Sequence, residues 1–224
     1  MFPIKDNVPS KRWPLINTLL IILNVVAFYY QTSLDVDMNT FFQQYGVVPE
    51  KFQQNLGEIS YPSLGLSKVF FPLITSAFLH GSLLHLLSNV WILWIFGDNV
   101  EDRLGHLGYL GFYLLAAVGA GLIHVITNID SDIPAVGASG AIAGVMGAYF
   151  ILFPRAKVLT LVVIFFLIQL IWIPAYIYLG VWILIQFYYG TVDLAINASV
   201  GGVAWWAHIG GFLVGLLFAF LIKR

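Results

Sequence analysis

Apolar stretches of bilayer-crossing length recur from Leu15 to Ile222, and they fix the solvent in which this chain folds. A hydrocarbon core of roughly 30 Å takes about 20 apolar residues per helix. The stretches divide into six such spans, at about 15–31, 83–97, 106–127, 136–153, 158–188 and 204–222. With 60% of 224 residues hydrophobic and only 9% charged, a water-soluble domain of this size is excluded. The expected fold class is therefore an all-α membrane protein, a bundle of six transmembrane helices. The fifth stretch, broken by Pro174 and Gly180, is longer than one perpendicular crossing requires, and it reads as one long tilted or kinked helix.

Six crossings put both ends of the chain on one side. Lys5, Lys11, Arg12, Arg103, Arg155, Lys157, Lys223 and Arg224 then share that side, which the positive-inside rule makes cytoplasmic, and only Lys51 and Lys68 fall outside. Residues 1–14 become a short cytoplasmic segment and 223–224 a cytoplasmic end. The single domain between them, 15–222, carries a long outer loop at about 32–82. The first span follows basic residues but lacks a small-residue cleavage site before Gln31-Thr32-Ser33, so it reads as retained. The short tails point to a prokaryotic plasma (inner) membrane. Absence of cysteine excludes disulfide and thiolate chemistry, and no basic nucleic-acid patch or phosphate-cradling loop occurs.

Polar side chains inside a bilayer are costly unless paired, so depth is the informative coordinate. Helices two, four and six all run from the outer side inward. His85 and Asn89 lie in the first turns of helix two, Ser139 at the start of helix four, and His208 in the first turns of helix six. All four converge within roughly 10 Å of the outer interface at the helical rise per residue. Gly140, Ala143, Gly144 and Gly147 on helix four, and Gly211 and Gly215 on helix six, form small-residue faces that let the two helices approach. A serine hydroxyl needs a base within hydrogen-bond reach, and His208 is the plausible base on helix six. Asp193 reads as a loop residue and Glu101 lies at the cytoplasmic end of helix two, so the expected set is a Ser-His dyad. His85 and Asn89, one turn apart on one face, fit as oxyanion donors together with free N–H groups at the start of helix four. Deacylation needs water, which implies a polar pocket open to the outside, and no cofactor or metal.

The segment TSAFLHGSLLHLLSN, the tetrad Gly137-Ala138-Ser139-Gly140 and the run AHIGGFLVG together resemble the rhomboid intramembrane serine proteases, over nearly the whole chain. The resemblance implies Ser139 as nucleophile, His208 as base, and His85 and Asn89 as oxyanion-hole side chains. His80, Gly137, Gly140, Gly211 and Gly215 support the site, and Glu101 with Arg103 resembles the family's fold-stabilising charged pair. Its substrates would be single-span or other transmembrane proteins, cut near the outer boundary of the lipid bilayer. Two positions depart from common rhomboid patterns: Phe71-Pro72 replaces a Trp-Arg pair, and Ala143 replaces a tyrosine one turn after the nucleophile.

Blander readings stand beside these. Ser139 alone fits a small helix-interface residue, His80 a loop residue tied to backbone, and His106 and His124 interfacial positions. Glu101 with Arg103 reads as a solvated helix-end pair, Trp205 and Trp206 as interface anchors, and Trp172 or Phe187 as gate aromatics. The rival functions are a catalytically inactive rhomboid-like protein that binds membrane clients and a histidine-based transporter of protons or metal. The transporter would want deep acidic residues that the spans lack. A zinc protease would need His-Glu-x-x-His, which is absent.

Overall fold

The computed structural model describes residues 1–57, 65–164, 167–196 and 202–223. In chain order it contains β1 (Phe2–Asp6), α1 (Leu15–Ser33), α2 (Met38–Tyr45), α3 (Pro49–Gly57), α4 (Gly65–Thr75), α5 (Leu83–Leu104), α6 (His106–Thr127) and α7 (Ser139–Leu152). The strands β2 (Lys157–Ile164) and β3 (Leu167–Pro174) follow, then α8 (Ala175–Ile196) and α9 (Trp205–Ile222). Among the described residues five helices, α1, α5, α6, α8 and α9, are long and apolar enough to cross a bilayer. The chain is an integral, multi-pass membrane protein built as an all-α bundle, with a small sheet at one end.

The fourth expected span is a special case. α7 has 14 residues, which at 1.5 Å per residue is about 21 Å and short of the hydrocarbon thickness. Protein rather than lipid surrounds it, since every residue from Gly140 to Tyr149 is buried. α9 lies against one side so closely that a Cβ on Gly211 would sit 1.9 Å from the Gly140 carbonyl oxygen, and one on Gly215 would sit 2.0 Å from that of Gly144. α6 closes another side through Ala116 and Ala120, whose methyl groups would lie 2.5 and 2.7 Å from a Cβ added at Gly144 and Gly140. Small residues on three helices thus let dispersion contacts, the main attraction available between helices in lipid, act at backbone distance.

The stretch 158–188 is not one helix. Its first half is the antiparallel hairpin β2–β3, in register from Lys157 opposite Pro174 to Ile164 opposite Leu167. β1 pairs with the other edge of β2, placing Phe2 opposite Leu161 and Asp6 opposite Val158. The composition explains the departure: Val158, Thr160, Val162, Val163, Ile164, Ile168, Ile171 and Ile173 are β-branched, and Pro174 terminates the strand. The crossing helix α8 begins after that proline and runs on to Ile196, so Asp193 lies in a helix and Trp172 in a strand. The outer loop expected at 32–82 contains α2, α3 and α4, with Phe71 and Pro72 inside α4; its residues 58–64 lie outside the described ones.

Glu101 is not a solvated partner of Arg103. Its carboxylate, 1% exposed, accepts hydrogen bonds from the Ile16 N–H (2.9 Å) and Asn17 N–H (2.7 Å) and contacts His106 Nδ1. A negative charge here satisfies orphan donors at the start of α1 and complements the positive end of its dipole. The start of α1 therefore sits beside the end of α5, and the two helices run in opposite directions.

Candidate active site

The site lies at the end of the bundle away from Glu101. Ser139 is the first residue of α7, and its approach is set by Gly137, which has φ +135° and donates its N–H to the Ser76 carbonyl at 2.8 Å. A side chain at Gly137 would be strained in that backbone conformation, and its Cβ would lie 2.7 Å from the His85 ring. Just upstream, Val47 and Ala135 exchange N–H···O bonds of 3.0 and 2.8 Å, tying this segment to the loop before α3.

His208 stands near the start of α9, and the seating of Gly211 on Gly140 brings it level with Ser139. The His208 Nε2 to Ser139 Oγ distance is 2.8 Å. The rings beside His208 are Trp182, with centroids 5.8 Å apart, and Trp205, edge-on at 6.4 Å. Ala143, one turn after Ser139, is fully buried in the helix interface.

α5 contributes the facing wall. Ser82 caps it by accepting the His85 N–H at 3.2 Å, which sets His85 in the first turn against Gly137. Asn89 follows one turn later, 7% exposed, and its Nδ2 has no partner within the protein. His80 is fully buried with both ring nitrogens unpartnered, and its ring packs edge-on against His85 at 5.1 Å. Burial pushes the His80 imidazole down to about 4, and the neighbouring His85 pushes it the same way.

A void of about 40 Å³ adjoins Ser139, lined also by Ser76, Gly137, Gly140 and His124, enough for about one water. A larger cavity of about 510 Å³ shares His124, Ala135, Val136 and Ala204 with it and adds His85, Asn128 and Asp193. His124 is thus a site-cavity residue rather than an interfacial one. The sequence reads His124 as interfacial and gives no role to Gln186, whose Oε1 is 2.8 Å from His208 Nδ1. Both are isolated polar residues in apolar helices, a signal too common to single out.

The arrangement joins a hydroxyl, a ring nitrogen able to take its proton, unpaired donors and a water-sized void at a recessed helix end. Known proteins share sequence similarity with this chain. A family model described as the Rhomboid domain matches residues 61–224. Rhomboid protein 1, mitochondrial, of Saccharomyces cerevisiae is 29% identical over 161 residues, covering 68% of this chain and 42% of that protein. RHOMBOID-like protein 6, mitochondrial, of Arabidopsis thaliana is 27% identical over 172 residues, 75% of this chain and 49% of that protein. Presenilin-associated rhomboid-like protein, mitochondrial, of Homo sapiens is 26% identical over 155 residues, 65% of this chain and 36% of its own length. The chain spans less than half the length of each. A family model covering most of the sequence and a bundle centred on a short buried helix lead to one conclusion: this chain belongs to the rhomboid family.

Proposed function

We propose that the protein is an intramembrane serine endopeptidase that hydrolyses peptide bonds in or near transmembrane segments of membrane-protein substrates. The observation carrying this reading is the 2.8 Å contact between Ser139 Oγ and His208 Nε2 at the sunken end of α7. Ser139 Oγ attacks the substrate carbonyl carbon as its proton passes to His208 Nε2, and the carbonyl oxygen becomes an oxyanion. The C–N bond then breaks as His208 gives that proton to the departing amine, leaving an ester on Ser139. Water adds to the ester while His208 takes its proton; the ester C–O bond breaks and the proton returns to Ser139 Oγ.

The oxyanion would be met by N–H groups at the start of α7, which lack intrahelical acceptors, and by His85 and Asn89 Nδ2, the latter a buried donor otherwise without a partner. His80 and Gly137 support the site by holding His85 and Ser139 in place, and Gly140, Gly211 and Gly215 by setting the spacing of α7 and α9. The reading places residues 15–222 in one domain, with both ends cytoplasmic and the site toward the outer side of the membrane, because the basic residues gather at the opposite end. The test is cleavage of a single-span protein in liposomes by the purified chain, beside Ser139→Ala and His208→Ala variants of equal thermal stability. Loss of cleavage in both variants supports the reading. No cleavage by the unmodified protein across several substrates and lipids transfers the case to an inactive client-binding relative.

A further inference from the structure

We propose that Gln186 of α8 is a positioning residue for His208, holding the imidazole as the Nδ1–H tautomer so that Nε2 is free to take the Ser139 proton. This rests on the Ser139–His208 reading above.

Gln186 is 5% exposed and makes two contacts. Its Nε2 donates to the Trp182 carbonyl one turn earlier, at 3.2 Å, and its Oε1 lies 2.8 Å from His208 Nδ1. A side-chain amide can be turned end for end, but here only one orientation satisfies both neighbours. The Trp182 carbonyl is a pure acceptor and must face the NH₂, so the amide oxygen is the atom left facing the ring. An oxygen that only accepts requires Nδ1 to carry hydrogen. A neutral imidazole has one such hydrogen, so Nε2 presents its lone pair to Ser139 Oγ at 2.8 Å.

The opposite tautomer would set the Nδ1 and Oε1 lone pairs against each other and aim an Nε2–H at the serine oxygen, where the ring could not act as base. Trp182 adds its ring to one side of His208, so a single helical turn of α8 fixes both proton placement and ring direction. An amide does this without the desolvation cost of a carboxylate among apolar helices. In exchange it offers the imidazolium a dipole rather than a charge.

The bland alternative is that Gln186 is a buried polar residue whose loss would cost stability alone. Gln186→Leu and Gln186→Glu separate the two. The leucine variant is expected to lower kcat by about 10- to 100-fold with KM nearly unchanged, the scale of a mis-set general base. The glutamate variant, which keeps an acceptor at the same atom, should recover most of that loss. The ¹⁵N spectrum of histidine-labelled protein in liposomes reads the tautomer directly, with the His208 signal identified by its absence in His208→Ala. The unmodified protein should show Nδ1–H, and Gln186→Leu should populate Nε2–H.

An Nε2–H signal in the unmodified protein, or an unchanged tautomer and kcat in Gln186→Leu, overturns the proposal. If the unmodified protein cleaves nothing, the protease reading fails, while the tautomer spectra still decide whether Gln186 sets His208.

Discussion

Gln31 and His80 are joined by two reciprocal hydrogen bonds: the Gln31 side chain donates to the His80 carbonyl at 2.6 Å and accepts the His80 N–H at 3.1 Å. Gln31 sits in the last turn of α1 and imitates a strand partner for a stretch of irregular backbone. The clamp pins the turn before α5, which holds the His80 ring against His85 and so places His85 below Gly137. A helix remote in sequence thereby stiffens the facing wall of the site.

Gln31→Leu should accordingly leave the His80 N–H and carbonyl buried and unpaired, a loss of about 2–4 kcal/mol at the usual cost of two orphaned groups. Thermal unfolding in detergent checks this, and the variant should also turn over more slowly at temperatures where it remains folded. An unchanged melting temperature would show that the clamp carries no weight.

Replacing the proposed oxyanion donors should act on chemistry rather than binding. His85→Ala and Asn89→Ala are each expected to lower kcat by about 10²- to 10³-fold, the scale of one lost oxyanion donor, with little change in KM. A rise in KM at constant kcat would instead make them substrate-binding residues.

The buried His80 also makes stability depend on pH. Its folded-state value, about 4, lies below the ordinary 6.5, so the unfolded chain takes up this proton first as the solution is acidified. The stability contribution is complete above about 6.5 and is lost progressively as pH falls toward about 4. His80→Phe removes this titration. Melting temperatures measured down that range should fall less steeply for the variant than for the unmodified protein, and parallel curves would refute the assignment.

The α7–α9 contact has no room for a methyl group. Gly211→Ala puts a Cβ in steric clash with the Gly140 carbonyl oxygen, so the helices must part at the level of Ser139. Destabilisation of about 1–3 kcal/mol is expected for such overpacking, together with loss of cleavage, because the His208–Ser139 distance opens with the helices. A variant that melts normally and cleaves normally would contradict this geometry.

The sequence by itself determined the solvent of this protein and the level of its polar groups. Hydropathy is a property of composition, and the rise of a helix converts position along the chain into depth; Ser139, His85, Asn89 and His208 could be set at one end of the bundle from those two facts. What hydropathy does not encode is periodicity when every face is apolar. The run from Val158 to Ile173 is hydrophobic enough for a membrane helix, and only its pairing with Phe2–Asp6 and its own return strand decides that it is a hairpin. Helix rotation is likewise invisible in such segments. That Gln186 faces His208, that His124 lines the cavity, and that Glu101 turns inward to cap α1 follow from which sides of α8, α6 and α5 pack together. Those sides are chosen by contacts between residues far apart in the chain, so tertiary structure alone could assign them.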